Sequence, residues 1–274
     1  LQNVQGNYLC SRLAYRAVYF IWDQIIFVAE LYLNSKMDDS RETRYHLFYW
    51  AVGAQSYKGF IMRKEYFTVS GEATAELEEK KSRFIATVKP VATEDEASGF
   101  INHLKARYWN ATHNVYAYYI CGDNMLQKFS DDGEPSGTAG LPVLEAIKKL
   151  GVEDTAAVVT RYFGGTLLGV AGLVRAYGRA AAMGIGAAGI IRKRLCVETG
   201  IVLEYSMLGK VQAMIASKGY KVKDTVYGRD VDICLYVPVD DYDGFHAELI
   251  GATNARALIY QGGKAYITAP ERHI

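Results

Sequence analysis

Apolar and polar residues alternate with period two at Ala73, Ala75 and Leu77 and again at Phe84, Ala86 and Val88. That spacing predicts a hairpin over 72–79 and 83–89, preceded by a short strand from Tyr66. Thr93 followed by Glu96 is a capping box, which opens a helix running to about Tyr108 with Phe100, Ile101 and Leu104 on its buried stripe. Residues 115–121 and 125–129 read as strands joined by a turn at Gly122-Asp123-Asn124. Pro142 suits the first turn of a helix ending near Leu150. The unbroken apolar, β-branched run 155–161 predicts a strand buried on both faces. Residues 169–183 form an Ala- and Gly-rich helix able to approach a sheet closely. The glycine-rich stretch 184–189 reads as a hinge or linker. Beyond it the pattern gives strands at 194–201, 220–227, 231–237 and 258–268, with helices at 205–218 and 240–250. This β-α-β-β-α-β order is the ferredoxin-like arrangement. The expected fold class is α+β, with a first domain over 62–186 and a ferredoxin-like second domain over 190–274.

Residues 1–61 stand apart. They are dense in aromatic residues, and 13–33 resemble a membrane segment until Arg16, Asp23, Gln24 and Glu30 interrupt it. No uninterrupted apolar core precedes a small-residue cleavage site, as a signal peptide requires. Lys58-Gly59 corresponds to codons resembling a bacterial ribosome-binding site, with Met62 a short spacer later. The expectation is that 1–61 is translated upstream sequence and that the natural start is Met62. The alternative is an amphipathic extension that docks on a membrane or a partner.

Composition narrows the function. The chain has 274 residues, 50% hydrophobic and 22% charged, as expected of a globular protein. A net charge of +1 provides no global field for indiscriminate nucleic-acid binding, so any RNA contact must come from a local patch. Cys10, Cys121, Cys196 and Cys234 form no closely spaced pair, which argues against structural zinc and fits reduced thiols in a cytoplasm.

The candidate chemistry lies in two glycine loops, each ahead of a predicted helix. The first is Ser130-Asp131-Asp132-Gly133-Glu134-Pro135-Ser136-Gly137-Thr138-Ala139-Gly140. The second runs from Thr160-Arg161-Tyr162-Phe163-Gly164-Gly165 to Gly169 and on through Gly172-Leu173-Val174-Arg175-Ala176-Tyr177. A glycine loop before a helix exposes backbone N–H groups at the positive end of the helix dipole, where phosphate or carboxylate binds. Asp131, Asp132 and Glu134 could hold magnesium through hard carboxylate oxygens. The competing reading is a turn whose side chains bond local N–H groups, and Asp131 or Asp132 could instead clamp Arg161 or Arg175. Ser136 and Thr138 are open to phosphate binding or to helix capping. Arg161, beside Phe163, Gly164, Gly165 and Gly169, is placed to read phosphate while the aromatic ring stacks on a base. The competing reading pairs Arg161 with one of the three acids and puts Phe163 in the core. Arg175 and His113 are further ligand candidates, each with a structural alternative. The strings match neither a P-loop nor a dinucleotide fingerprint, and neither a nucleophile elbow nor an H-E-x-x-H metal motif is present. Lys80, Lys81, Arg83, Lys105 and Arg107 could form a basic patch or an ordinary solvated face. Lys210, Lys218, Lys221, Lys223 and Arg229 offer the same choice in the second domain.

The strings S-D-D-G-E-P-S-G-T-A-G, V-V-T-R-Y-F-G-G-x-x-L-G and G-L-V-R-A-Y, in that order, resemble the YigZ/IMPACT family. K-S-R-F-I-A at 81–86 and W-N-A-T-H-N at 109–114 fit as well. The resemblance runs from about Met62 to the C-terminus. Ala171 departs from it, since the family usually has glycine there. The resemblance implies a first domain similar to the second domain of a small-subunit ribosomal protein and to ribonuclease PH. It implies a second domain resembling elongation factor domain V. It also implies translation control, because the family's eukaryotic members regulate translation through an extra partner-binding domain with no evident counterpart here. The expected function is therefore a cytoplasmic protein that binds RNA or the ribosome, not a membrane. The alternatives are a magnesium-dependent enzyme acting on a small phosphorylated ligand or RNA end, and a protein-interaction module. Oligomeric state is not legible.

Overall fold

In the computed structural model, residues 63–122 and 125–269 are described. The expectations for 1–61, and for Asp123 and Asn124 in the turn, lie outside the described residues.

Strands β2 (Ala73–Glu79), β3 (Ser82–Pro90), β4 (His113–Cys121), β5 (Met125–Ser130) and β6 (Thr155–Tyr162) form one antiparallel sheet in the order β2-β3-β6-β4-β5. Helix α1 (Glu94–Arg107) covers one face. Helices α2 (Gly140–Lys149) and α3 (Val170–Ala188) cover the other. Central strand β6 is therefore buried on both sides: Ala157 and Val159 meet α2 and α3, while Ala156 and Val158 meet α1. The Thr93 hydroxyl accepts from Glu96 N–H at 3.2 Å, and Glu96 reaches back to accept from Ala92 N–H at 2.7 Å. Ala97, Phe100, Ile101 and Leu104 form the buried stripe of α1.

The second sheet holds β7 (Ile190–Leu203), β8 (Lys221–Tyr227), β9 (Val231–Pro238) and β10 (Leu258–Thr268), in the order β10-β7-β9-β8. Helices α4 (Tyr205–Lys218) and α5 (Tyr242–Thr253) pack Val211, Ile215, Phe245 and Leu249 onto one of its faces. With the chain order β7-α4-β8-β9-α5-β10, this is the ferredoxin-like arrangement that the sequence predicts. The whole is α+β.

Two expectations need correction. Strand β1 (Glu65–Val69), which the sequence assigns to the first domain, pairs antiparallel with β7 of the second sheet, from Glu65 opposite Arg194 to Val69 opposite Ile190. A partner so distant in sequence leaves no local signal. The stretch 184–189 is not a hinge: α3 continues to Ala188, and Gly189 ends it at φ 70°. A Cβ on Gly184 would lie 2.9 Å from Val88 Cγ2 and 3.0 Å from Ala86 Cβ. Glycine there allows close helix–sheet contact rather than bending.

Strand β1 joins the two sheets. The Phe67 carbonyl accepts from Glu153 N–H and Ser70 N–H donates to the Gly189 carbonyl, both at 2.8 Å. The Arg63 guanidinium pairs with Glu153, lies 3.9 Å from Asp154 and donates to the Cys121 carbonyl. Tyr66 meets Tyr266 edge-on at 5.0 Å. Burial, with the Asp154 charge beside it, pushes the Tyr66 hydroxyl pKa up to about 12. Among the described residues no helix is long and apolar enough to cross a membrane, and Cys121, Cys196 and Cys234 are free.

Candidate functional site

Strand direction gathers the candidate residues. Arg83 lies opposite Tyr162, His113 opposite Arg161 and Tyr116 opposite Ser130. Four segments therefore meet at one end of the first sheet: the β2–β3 turn at Lys80-Lys81, the 108–112 connection, the 131–139 loop and the 163–169 loop. Helices α2 and α3 both begin at this end. Gly164 lets two of these segments touch, because a Cβ on it would run into the Lys81 carbonyl. The Tyr162 hydroxyl donates to Asn110 at 3.0 Å and Phe163 N–H donates to the Thr112 hydroxyl at 3.0 Å, tying in a third.

The centre of this end is a buried ion pair. Arg161 Nη1 donates to Glu134 Oε1 at 2.6 Å, with both side chains almost fully buried. The Tyr177 hydroxyl donates to the same oxygen at 2.7 Å. Arg161 Nη2 reaches the Ser82 hydroxyl at 3.3 Å, and the guanidinium lies 5.4 Å from the Phe84 ring and 5.5 Å from the Phe163 ring. Burial first, then the bond to Glu134, raises the Tyr177 pKa well above the usual tyrosine range. His113 Nδ1 sits 2.8 Å from the Asp132 carbonyl, a bond that needs the proton on Nδ1, and Nε2 lies 3.8 Å from Glu134 Oε1.

The acids do not converge as a magnesium site. Asp131 accepts from the N–H groups of Gly137, Ala139 and Gly140 at 2.8–3.0 Å, so it holds the start of α2 from within the loop. Asp132, at φ 45°, accepts from Asn114 N–H at 2.7 Å and from Lys105 at 2.8 Å. Burial opposes charge on Asp132, but the Lys105 bond and the Asn114 N–H outweigh it and hold its pKa below the ordinary carboxylate value. Glu134 turns the other way, to Arg161. Among the described residues no three His, Cys, Asp or Glu side chains gather as a metal-binding group.

Other candidates sort similarly. The Thr138 hydroxyl donates to the Pro135 carbonyl at 2.7 Å, closing a turn, while Ser136 is exposed. Phe163 is 45% exposed, so it is not a core residue. Arg175 points to solvent from the α3 face opposite Leu173 and Tyr177, away from Arg161. The sequence reading did not single out Ser82, Tyr177, Trp109 or Leu167. All but Leu167 lie within the quoted strings, yet nothing local marks their roles.

A pocket of about 440 Å³ opens at this end of the sheet, lined by His113, Glu134, Arg161, Phe163, Leu167 and Val170 among others. Helix α3 starts after Gly169 at φ 73° with no side-chain cap and, like α2, no acidic residue in its first turn, whereas Asp131 accepts from the N–H groups at the start of α2. A smaller cleft of about 180 Å³ in the second sheet is lined by Arg192, Arg194 and Lys218. Those cations already face Glu65, Asp241 and Glu248.

An α+β protein with one sheet between helices and a second ferredoxin-like sheet, its signature loops meeting at one sheet end, defines the class. The Impact N-terminal domain model matches residues 80–185, and a domain of unknown function, DUF1949, matches 201–256. IMPACT family member YvyE of Bacillus subtilis (strain 168) is 39% identical over 213 residues, 78% of this chain and 98% of that protein. IMPACT family member YigZ of Escherichia coli (strain K12) is 34% identical over 173 residues, 62% of this chain and 84% of that protein. Protein IMPACT of Rattus norvegicus is 37% identical over 100 residues, 35% of this chain and 31% of that protein. A crystal structure of a hypothetical protein is 30% identical and covers 72% of this chain and 97% of its own, with a TM-score of 0.48. The chain belongs to the IMPACT family.

Proposed function

We propose that this protein binds RNA, on the ribosome, and modulates translation in the cytoplasm, through the loop end of its first sheet. One observation carries the reading. Lys80 and Lys81 form a two-residue hairpin turn at φ 48° and 66°, a left-handed conformation usually given to Asn and Gly. Holding lysines there costs on the order of 1 kcal/mol per residue. Both lysines are exposed, and among the described residues the acids of this hairpin pair elsewhere, Glu76 with Arg83 and Glu72 with Lys89. Trp109, 81% exposed, and Phe163, 45% exposed, lie in loops at the same end. Cations beside solvent-facing rings suit a single strand, with phosphates on the lysines and bases stacked on the rings. Membership of a family that includes proteins named IMPACT fits the resemblance to translation regulators. Arg161 is not the phosphate reader in this scheme, because Glu134 already holds it.

The test is co-sedimentation of the full chain with ribosomes across a salt series, with and without ribonuclease. Binding is expected to fall with salt, by about 0.7 in log affinity per log salt for each single-strand phosphate neutralised. The double variant Lys80→Asn, Lys81→Gly is expected to be more stable to denaturant yet bind more weakly with a shallower salt slope. Trp109→Ala should weaken binding without changing that slope. No co-sedimentation at low salt would sink the proposal.

A further inference from the structure

Strand β5 ends the first sheet, and among the described residues β4 is the one strand that pairs with it. An open strand edge is a row of unmade backbone hydrogen bonds, which proteins blunt with charge, a bulge or a covering segment. The other edges of this protein are blunted. Strand β2 carries Glu76, Glu78 and Glu79. Register shifts interrupt β8 after Val222 and β10 after Gln261. Strand β1 is bridged to Val152 and bonded to Glu153. Strand β5 pairs with β4 without a break from Met125 to Ser130, and Lys128 is its one charged residue. That lysine is turned to Glu94 of α1 at 3.3 Å, on the face where Leu126 packs against the α1 core. The opposite face of β5 belongs to α2, since a Cβ on Gly140 would lie 3.0 Å from the Phe129 ring. There the strand shows Met125, 70% exposed, and Phe129, 43% exposed, with exposed Gln127 between them.

We infer that a second copy of this chain pairs with β5 along this edge, antiparallel, about a two-fold axis at Gln127. The strand is complementary to itself in that register. Directly opposed residues of an antiparallel pair lie on the same face, so Met125 of each copy meets the partner's Phe129, a sulfur–aromatic contact made twice. Gln127 meets the partner's Gln127 on the axis, where each side-chain amide offers both a donor and an acceptor. On the other face Leu126 lies opposite the partner's Lys128, whose methylene stem can cover it. Competing registers lose these matches. Centring on Lys128 sets two cations directly opposite each other, which is destabilising. Centring on Leu126 opposes Met125 with Gln127 and leaves Phe129 without its partner. An axis between two residues opposes side chains of different faces. The favoured pairing joins the two five-stranded sheets into one. Both copies use the same patch, so the assembly closes at two. The inference does not rest on the RNA reading.

Sedimentation velocity on the full chain tests this, from low micromolar to near-millimolar concentration because so short an interface is weak. Monomers are expected to pass to dimers and no further. Gln127→Lys and Gln127→Glu alter an exposed side chain, so each variant should keep its thermal midpoint. Each should lose self-association severalfold, since equal charges then meet on the axis. Mixing the two variants opposes lysine with glutamate and should give a heterodimer at least as tight as the unaltered dimer. Residue 127 must face its own copy for mixing to restore what each variant alone loses. A chain that stays monomeric at the highest concentration overturns the inference. So does growth beyond two copies, self-association unchanged in both variants, or mixing that restores nothing.

Discussion

Without the Arg161 guanidinium, Glu134, whose side chain is only 4% exposed, would keep only the Tyr177 hydroxyl among the described hydrogen bonds. Arg161→Ala is therefore expected to lower stability by about 3–5 kcal/mol, read as a fall in denaturant midpoint. Arg161→Lys should recover only part of this, because a point charge cannot serve Glu134 and Ser82 at once. A midpoint within error of the unaltered protein would mean that the pair contributes nothing. The sequence holds every residue of this centre, and its spacing allowed an Arg–acid clamp, but it could not say which acid. Asp131, Asp132 and Glu134 are near neighbours in the chain, yet the positive φ of Asp132 turns them in three directions: to the start of α2, to Asn114 with Lys105, and to Arg161. Side-chain direction in a tight turn is set by partners from other elements, which local spacing does not record.

Elements were legible wherever the signal is local. The alternation around Leu77 and Phe84, the Thr93–Glu96 cap and the apolar run of β6 each specify their own structure from adjacent residues. Gly184 to Gly189 misled because glycine marks both flexibility and close approach, and only the neighbouring strand distinguishes them. The two meanings give opposite results in α3. Gly184→Ala must displace Val88 and Ala86, so it should destabilise by about 1–3 kcal/mol. Gly186→Ala faces open space two residues on and should stabilise by up to about 1 kcal/mol from helix propensity. Thermal melts of the two variants settle the point, and matching shifts would restore the hinge.

At the scale of the molecule, β1 links two sheets that each have their own core, which should make them unfold as one cooperative unit. Val69 belongs to the core of the first sheet, while the backbone of β1 belongs to the ladder of the second. Calorimetry should show a single unfolding transition for the unaltered protein. Combined Arg63→Ala and Tyr66→Ala, which removes the contacts to Glu153, Asp154 and Tyr266, should split it in two. One unsplit transition would locate the coupling elsewhere. The pairing also imposes a timetable on synthesis. Residues 65–69 leave the ribosome before any of the first sheet, but their partners at 190–194 are made only after that sheet is complete. At about 5–20 residues per second, the nascent strand stays unpaired for on the order of ten seconds. The protein is fastened by the earliest-made of its described strands, and that strand is among the last to find its place.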